Sequence, residues 1–498
     1  MQKPRPVADP CPLRPRTAWT LLALIVFAGL ALRLYRLDEQ SVWYDEYISI
    51  VHVDKPDVGS YLDAQKAANW NLVPVYYALQ YWWANHVTGS VIGVRILSIL
   101  FGILAIPMLY LLGVELYDRR AGLAAALCLS LSYIHIYQAQ EIRNYSLTML
   151  AGLLSGFTFV KVLHERGRFW WPLHWAANLL LVWTHLFGAF LLLAEGLMLI
   201  ATRARRWRMP FFWGTTNIIL MSPSLLWIRG IENRVAPLPR SPLWAFVGNA
   251  FADCRTVAVG MYIPEQVQWQ VAPGVWTHFF EATYRSANDL LLLLSFAAVV
   301  YMAVVSTRAA FCAAPDPEAS SRRRFEDFLF PLFWLFVPAV TIYLLHTFWR
   351  TDVFSPKYTN YACLGGYLLV GGAVSYLRPR IARRLALLGV VALYAYHYGA
   401  LLTHPQRTDW LSACRVVKSE GAEDDYRIAY PQQQHLVFAY NMRPIEVAPD
   451  LPLTFGAFCR HVSEAHEEGR GVCALWCDHF GLHGYPDRLE RYLGLRSV

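Results

Sequence analysis

Charge is what this chain has least of. Of its 498 residues only 16% are Asp, Glu, Lys or Arg, against 56% hydrophobic residues that include 19 Trp and 28 Tyr. That balance excludes a single soluble domain and points to a membrane protein. The formal charge of +8 is modest, and its placement in short loops between apolar runs gives no reason to expect nucleic acid as a partner. No small-residue cleavage signal follows the first apolar run, so a retained helix is expected there and not a removed secretion signal. Metal-type cysteine spacing is thin too: among nine Cys, Cys473 and Cys477 form a lone C-x3-C, a weak zinc signal. With Cys254, Cys414 and Cys459 they fall on the expected outer side, where a disulfide can form; spacing does not give the connectivity.

Long apolar runs are plentiful instead. Roughly 18 or more apolar residues cross about 30 Å of hydrocarbon as a helix, and in lipid only a helix or a closed barrel satisfies its own backbone. The runs at 17–37, 91–116, 121–138, 144–163, 171–186, 187–202, 211–229, 288–307, 328–347, 358–377 and 381–402 predict about eleven spans. The pair covering 171–202 has one long tilted helix as its alternative, which would reverse everything downstream. Basic residues arbitrate, because short cytoplasmic loops collect Lys and Arg. With the N-terminus inside, Lys3 to Arg16, Arg119 and Arg120, Lys161 to Arg168, Arg203 to Arg208, Arg308 with Arg322 to Arg324, and Arg378 to Arg384 all fall on the cytoplasmic side. The outer turns carry few cations. Their exceptions, Arg143, Arg350 and Lys357, with Arg33 and Arg36 at the end of the first helix, invite a functional account.

The expected organisation is a transmembrane domain over 1–403, with outer loops at 38–90 and 230–287, followed by a C-terminal segment over 404–498. The first loop holds NLVPVYYALQYWW at 71–83, an aromatic amphipathic stretch suited to the interface. In the tail, RIAY at 427–430 and VCALW at 472–476 predict short strands, hence a small extracytoplasmic α/β domain. The cytoplasmic side has nothing comparable; AAPDPEASSRRRFED at 313–327 is expected to be a flexible linker. A channel or carrier needs polar groups through its midplane, whereas Glu115 and Glu195 are expected towards the ends of their spans. Chemistry at the outer leaflet is the economical account.

The candidate residues gather in short stretches on that face. SVWYDEYIS at 41–49 sets Asp45 and Glu46 beside Tyr44; a carboxylate at the low-dielectric edge of a bilayer is the kind of group a general base requires. The alternative is a solvated pair, or an anchor for Arg33 or Arg36. In QAQEIRNY at 138–145, Glu141 and Arg143 must face protein, water or ligand, with a structural ion pair as the alternative. Thr184 and His185 lie at the next outer turn, where a structural role is the competing account. In FSPKYTNY at 354–361, Pro356 favours a helix start, and Lys357 beside the free N–H groups makes a phosphate site credible. Snorkelling of Lys357 to the interface is the alternative.

The order of these stretches, with RLYRL before SVWYDEYIS, then NLVPVYYALQYWW, the long run from Val94 to Ser155 that contains QAQEIRNYS, the Thr-His turn and SPKY, resembles the GT-C superfamily of polytopic glycosyltransferases. The nearest group looks like the bacterial relatives of protein O-mannosyltransferases and lipid A aminoarabinose transferases. The similarity is most specific over about 31–190; beyond 404 only RTDWLSACRVVKSEG resembles the tail of bacterial members. It implies an α-helical polytopic GT-C fold that transfers a sugar from a polyprenyl phosphate on the periplasmic side of a bacterial inner membrane, with inversion. Asp45 then falls where the family has its catalytic base, with Glu46 in support. Glu141, Arg143 and Tyr145 match the E-x-R-x-Y pattern, His185 the Thr-His turn, and Lys357 with Tyr358 the place where many relatives have Arg before Tyr. One departure matters: where relatives have His-Pro-Pro-Leu-Tyr-Tyr, this chain has Leu72, Val73, Pro74, Val75, Tyr76 and Tyr77, so any role of that His does not transfer.

On this account Lys357, Arg143 and Arg350 neutralise the departing phosphate, and Asp45 takes the proton of an acceptor hydroxyl. No cofactor is required, or a divalent ion is held by Asp45 and Glu141 as hard oxygen ligands. Lipid, protein and polysaccharide acceptors stay open. So do a lipid or polysaccharide transporter and a non-catalytic envelope assembly protein as alternatives of another class.

Overall fold

The computed structural model describes residues 13–68, 73–203, 206–227, 301, 317–349, 360–377 and 380–401, and of the remainder 414–415, 417–419, 426–430, 438, 464–465, 467–468 and 472–476. The described chain is mostly helical. Helix α1 is Pro15–Leu34, with Pro at its favourable start. Short helices α2 (Tyr44–Ile50), α3 (Val58–Ala68) and α4 (Pro74–His86) follow. Helix α5 is Val91–Leu116, started by Ser90, whose hydroxyl accepts the Gly93 N–H at 3.1 Å. Asp118 caps α6 (Arg119–Leu131) by accepting the N–H groups of Arg120 and Ala121 at 2.8 Å. Then come α7 (Tyr133–Ala139), α8 (Tyr145–Leu163), α9 (Trp170–Thr184), α10 (Ala189–Arg203) and α11 (Arg208–Trp227). Helices α12 (Pro317–Trp349), α13 (Cys363–Tyr376) and α14 (Arg380–Leu401) follow among the described residues.

Among the described residues five segments are long and apolar enough to cross a membrane, α1, α5, α8, Leu186–Arg203 and Phe325–Ile342, and the bent pair α6 and α7 makes a sixth if it is one span. The eleven expected spans are therefore not all reproduced among the described residues. The run 121–138 is not one straight helix: it breaks at Ser132, and α6 and α7 bend by 59°. The stretch 171–202 is two helices, α9 and α10, divided at His185 and a 3-10 turn over Leu186–Gly188. Residues 211–229, 358–377 and 381–402 overlap α11, α13 and α14, which are outside those five segments; 288–307, apart from Tyr301, and the loop 230–287 lie outside the described residues. Part of the expected cytoplasmic linker, from Pro317 on, is helical and begins α12.

Small residues bring the helices together, as expected where lipid gives no hydrophobic drive between them. A Cβ on Gly113 of α5 would meet the backbone of Gly122 on α6 at 2.7 Å, one on Gly371 of α13 would meet the Ala121 carbonyl, and one on Gly156 of α8 would run into the Trp334 ring of α12. Leu109, Leu112, Ala125, Leu153 and Leu368 are buried between these helices.

Basic residues collect at one end of the bundle. There Glu115 meets Lys161 Nζ at 2.6 Å and Arg166 Nη2 at 3.2 Å, His164 Nε2 lies 3.0 Å from Asp327, and Arg203 pairs with Glu326 and donates to the Leu163 carbonyl at 2.9 Å. Arg119 donates to the Leu13 carbonyl at 3.1 Å, which brings the start of α1 to the same end. The opposite end is therefore where α1 finishes, α8 begins and α9 turns into α10.

The chain divides into two compact units. The first comprises Met1–Tyr35, Lys55–Tyr262 and Trp269–Ala400; the second comprises Arg36–Asp54, Ile263–Gln268 and Leu401–Val498. The second unit contains α2 and two strands, β1 (Tyr426–Tyr430) and β2 (Val472–Trp476). They pair in parallel, from Tyr426 opposite Val472 to Tyr430 opposite Trp476, at the positions expected from RIAY and VCALW. Cys414 is buried as a free thiol. The expected loop 38–90 is not one piece: 38–54 belongs to the second unit and 55–90 to the first.

Candidate functional site

In the first unit, the break at Ser132 lets α7 end at Ala139 and leaves Gln140 to Asn144 as a tight turn before α8. The Gln140 N–H returns to the Ile136 carbonyl at 3.1 Å and the Glu141 N–H to the Gln138 carbonyl at 3.3 Å. The Gln140 side chain donates to the carbonyls of Arg33 at 3.1 Å and Tyr35 at 3.0 Å, which fastens the turn to the end of α1. On the other side Ser98 of α5 shares a 2.7 Å hydrogen bond with the Tyr76 hydroxyl and donates to the Arg143 carbonyl at 3.3 Å. Each such bond is worth about 1 kcal/mol net, and together they fix the direction of the turn.

That turn carries Glu141, Arg143 and Tyr145, all buried. The Arg143 guanidinium lies over the Tyr145 ring at 6.0 Å, at the outer limit of a cation–π contact. Tyr61, Tyr76, Tyr77 and Leu147 form an apolar cluster beside it. Burial raises Tyr61 well above the ordinary phenol range, with Arg143 pulling the other way.

The second turn comes from the break between α9 and α10. The Asn144 amide donates to the Thr184 carbonyl at 2.6 Å and joins the two turns. His185 Nδ1 accepts the Phe187 N–H at 3.2 Å. Nδ1 is therefore unprotonated, and the neutral ring carries its proton on Nε2. Burial, with a smaller contribution from Arg143, pushes His185 down to about 3. The Tyr145 and His185 ring centres are 6.2 Å apart. Tyr361 donates its hydroxyl to the Phe187 carbonyl, and Asn360 its amide to Gln138, so the residues leading into α13 are tied to the second turn and to the last turn of α7. The turns thus supply a buried cation, a neutral N–H donor and tyrosines in one place.

In the second unit, Asp45 and Glu46 occupy the first turn of α2. Glu46 is fully buried, whereas Asp45 is partly exposed. Ser49 donates to the Asp45 carbonyl at 2.9 Å. Burial, then the neighbouring Asp45 and Tyr47, raise Tyr44 above the usual phenol range. Arg36 pairs with Glu39. The structure therefore brings Glu141, Arg143, Tyr145 and His185 together in one unit, and Tyr44, Asp45 and Glu46 together in the other. Arg350, Lys357 and Tyr358 lie outside the described residues. Among the described residues no three His, Cys, Asp or Glu side chains are grouped to hold a metal ion.

Several residues that shape the site escaped the sequence reading: Tyr76, Ser98, Gln138, Gln140, Asn144 and Asn360. His135 and Gln138 within the run 121–138, with Gln140 just beyond it, are the local signal for a break. Glu195, expected towards a helix end, sits mid-way along α10 and is fully buried.

Residues 74–227 match the family model described as dolichyl-phosphate-mannose-protein mannosyltransferase. No curated protein matches the chain by sequence. Among solved structures, ArnT from Cupriavidus metallidurans in the apo state is similar at a TM-score of 0.52 and 15% identity, over 93% of this chain and 90% of that one. The same protein bound to undecaprenyl phosphate gives 0.52 at 15% identity, over 92% and 90%. The oligosaccharyltransferase of Archaeoglobus fulgidus in the apo form gives 0.53 at 11% identity; 86% of this chain aligns with 64% of that longer one. The family match and the shared fold bear out the resemblance to GT-C glycosyltransferases, and the apolar helices make the chain a multi-pass membrane protein.

Proposed function

We propose that this chain, with its GT-C fold, is a membrane glycosyltransferase that moves a sugar from a polyprenyl-phosphate donor to an acceptor on the periplasmic face, with inversion at the anomeric carbon. The observation that carries this reading is the joined pair of turns, in which buried Arg143 and neutral His185 flank Tyr145, on a fold that ArnT shares and in which that protein binds undecaprenyl phosphate.

Roles are assigned unit by unit. In the first, Arg143 stabilises the charge that builds on the departing phosphate as the bond to the sugar C1 breaks, together with Lys357 and Arg350 from the segment before α13. A fixed cation serves better than a mobile one because it needs no reorganisation as the charge appears. His185 Nε2–H and the Tyr145 hydroxyl donate to sugar or phosphate oxygens, and Glu141 orients the donor. In the second, Asp45 takes the proton of the attacking hydroxyl, with Glu46 and Tyr44 at its side; partial exposure suits a group that must meet an acceptor. The acceptor is a lipid, a protein hydroxyl or a polysaccharide, and the membrane a bacterial inner membrane.

The test is to incubate membranes containing the protein with several radiolabelled polyprenyl-phosphate sugars and identify the labelled product and its anomeric configuration. Wild type should transfer label and Asp45→Asn should lose about 10² to 10⁴ in rate, the usual contribution of a general base. Transfer by Asp45→Asn at the wild-type rate would remove Asp45 from that role. Release of label to water alone, or a retained configuration, would overturn the reaction class.

A further inference from the structure

The interior of the first unit holds a polar group that sugar transfer does not use. Ser155 of α8, His174 and Asn178 of α9, Glu195 of α10, and Trp213 and Asn217 of α11 are all buried, and Glu195 has no exposed surface at all. An intramembrane carboxyl is costly unless it is paired, and it calls for an explanation by default. Among the described residues no lysine or arginine pairs with it.

The donors and acceptors can be assigned one by one. Trp213 Nε1 is only ever a donor, and it lies 2.8 Å from His174 Nε2. His174 Nε2 is therefore an acceptor, and its ring is neutral with the proton on Nδ1, facing the Thr158 hydroxyl at 3.2 Å. The Asn178 atom 3.1 Å from Nε2 must then be the amide nitrogen, which also donates to Asn217 Oδ1 at 2.8 Å. That leaves Asn178 Oδ1 directed at Ser155, and the single Ser155 hydroxyl proton goes to it at 2.6 Å. Ser155 Oγ also lies 3.1 Å and 3.4 Å from the two Glu195 oxygens, and its own proton is already committed. The remaining proton able to make that bond belongs to the carboxyl. Besides Ser155, Glu195 has the neutral Trp334 indole of α12 beside it; ionised, it would face the His174 Nε2 lone pair at 3.8 Å with no cation nearby.

We propose that Glu195 is an uncharged carboxylic acid that donates its own proton to Ser155. The network so closed locks α8, α9, α10 and α11 together and holds α9 and α10 in register on either side of the His185 turn. Glu195 is a positioning residue, and its place mid-way along α10 then marks a joint between helices and not a transport path. The protonation state stands independently of any activity; its consequence for turnover rests on the glycosyltransferase reading.

The experiment compares purified wild type with Glu195→Gln, Glu195→Ala and Ser155→Ala by infrared spectroscopy, thermal melting and transfer kinetics. Wild type should show a protonated-carboxyl C=O band that is absent in Glu195→Gln and shifted in Ser155→Ala. An amide can still donate to Ser155, so Glu195→Gln should melt with wild type and keep its kcat within about twofold. Glu195→Ala should melt lower and lose about tenfold in kcat with KM little changed, as expected when one buried bond of about 1.4 kcal/mol is lost. Absence of the band at neutral pH, or equal damage by Gln and Ala, would overturn the proposal. If wild type transfers no sugar, the band and the melting order still decide the protonation, and only the reaction reading fails.

Discussion

The Asn144 side-chain amide donates to the backbone carbonyl of Thr184 at 2.6 Å. The turn that presents Glu141 and Arg143 is thereby bonded to the turn that presents His185, across two helices that run in opposite directions. The C-terminal end of a helix leaves carbonyls without intrahelical partners, and Asn144 satisfies one of them from the neighbouring element.

Removing that bond should separate the two turns. Asn144→Ala leaves the Thr184 carbonyl buried without this donor, a loss of about 1–3 kcal/mol. Thermal melting of the detergent-purified protein should fall, and sugar transfer should fall with it. Asn144→Asp, which keeps the shape and lacks the donor, should behave like Asn144→Ala. A wild-type melting curve for both variants would show that the bond does not hold the turns.

Arg143 should matter to turnover more than to folding of the bundle as a whole. Its carbonyl, not its guanidinium, accepts from Ser98, so the turn keeps that anchor when the side chain changes. Arg143→Gln should lower kcat for a polyprenyl-phosphate sugar by about 10² to 10³, the usual loss when one fixed donor to a developing anion is removed. Arg143→Lys should recover part of this, since it restores the charge without the planar fork. Steady-state kinetics on the two variants decides it.

The His185 ring gives a pH signature whose sign is fixed. Its folded value is lowered to about 3, by burial first and Arg143 second, while an unfolded histidine titrates near about 6.5. Between those values the unfolded chain binds the proton and the folded chain does not. Stability is therefore complete above about pH 6.5 and is lost as pH falls towards 3, at up to about 1.4 kcal/mol per pH unit. Melting measured from neutral pH down to pH 4 should fall less steeply in His185→Asn than in wild type. Parallel slopes would contradict a buried neutral His185.

Packing of α8 on α12 depends on the absence of a side chain at Gly156. A Cβ there would run into the Trp334 ring, which is fully buried. Gly156→Val should destabilise the protein by about 1–3 kcal/mol, the usual cost of overpacking. A second change, Trp334→Leu, makes room and should return part of the loss. A double-mutant cycle on melting reads the coupling directly.

Much of this molecule was legible from local signals. The bounds of α5, Val91–Leu116, follow from a long run after Ser90 in which Arg95 and Glu115 are the charged residues, and α8 follows from the apolar run after Asn144. The gathering of Arg119, Lys161, Arg166 and Arg203 at one end, and of Glu141, Arg143 and His185 at the other, follows from where charge stands relative to those runs. Each of these depends on residues close in sequence and on the high cost of charge in hydrocarbon. Only the tertiary structure decided the break at Ser132, the division of residues 38–90 between two units, the tautomer of His185 and the mid-helix seat of Glu195. Those depend on partners tens or hundreds of residues away: Asn360 on Gln138, Thr184 on Asn144, Ser155 and Asn178 around Glu195. Hydropathy cannot read them, because whether a buried polar group is tolerated is settled by the geometry of its partner and not by its own identity.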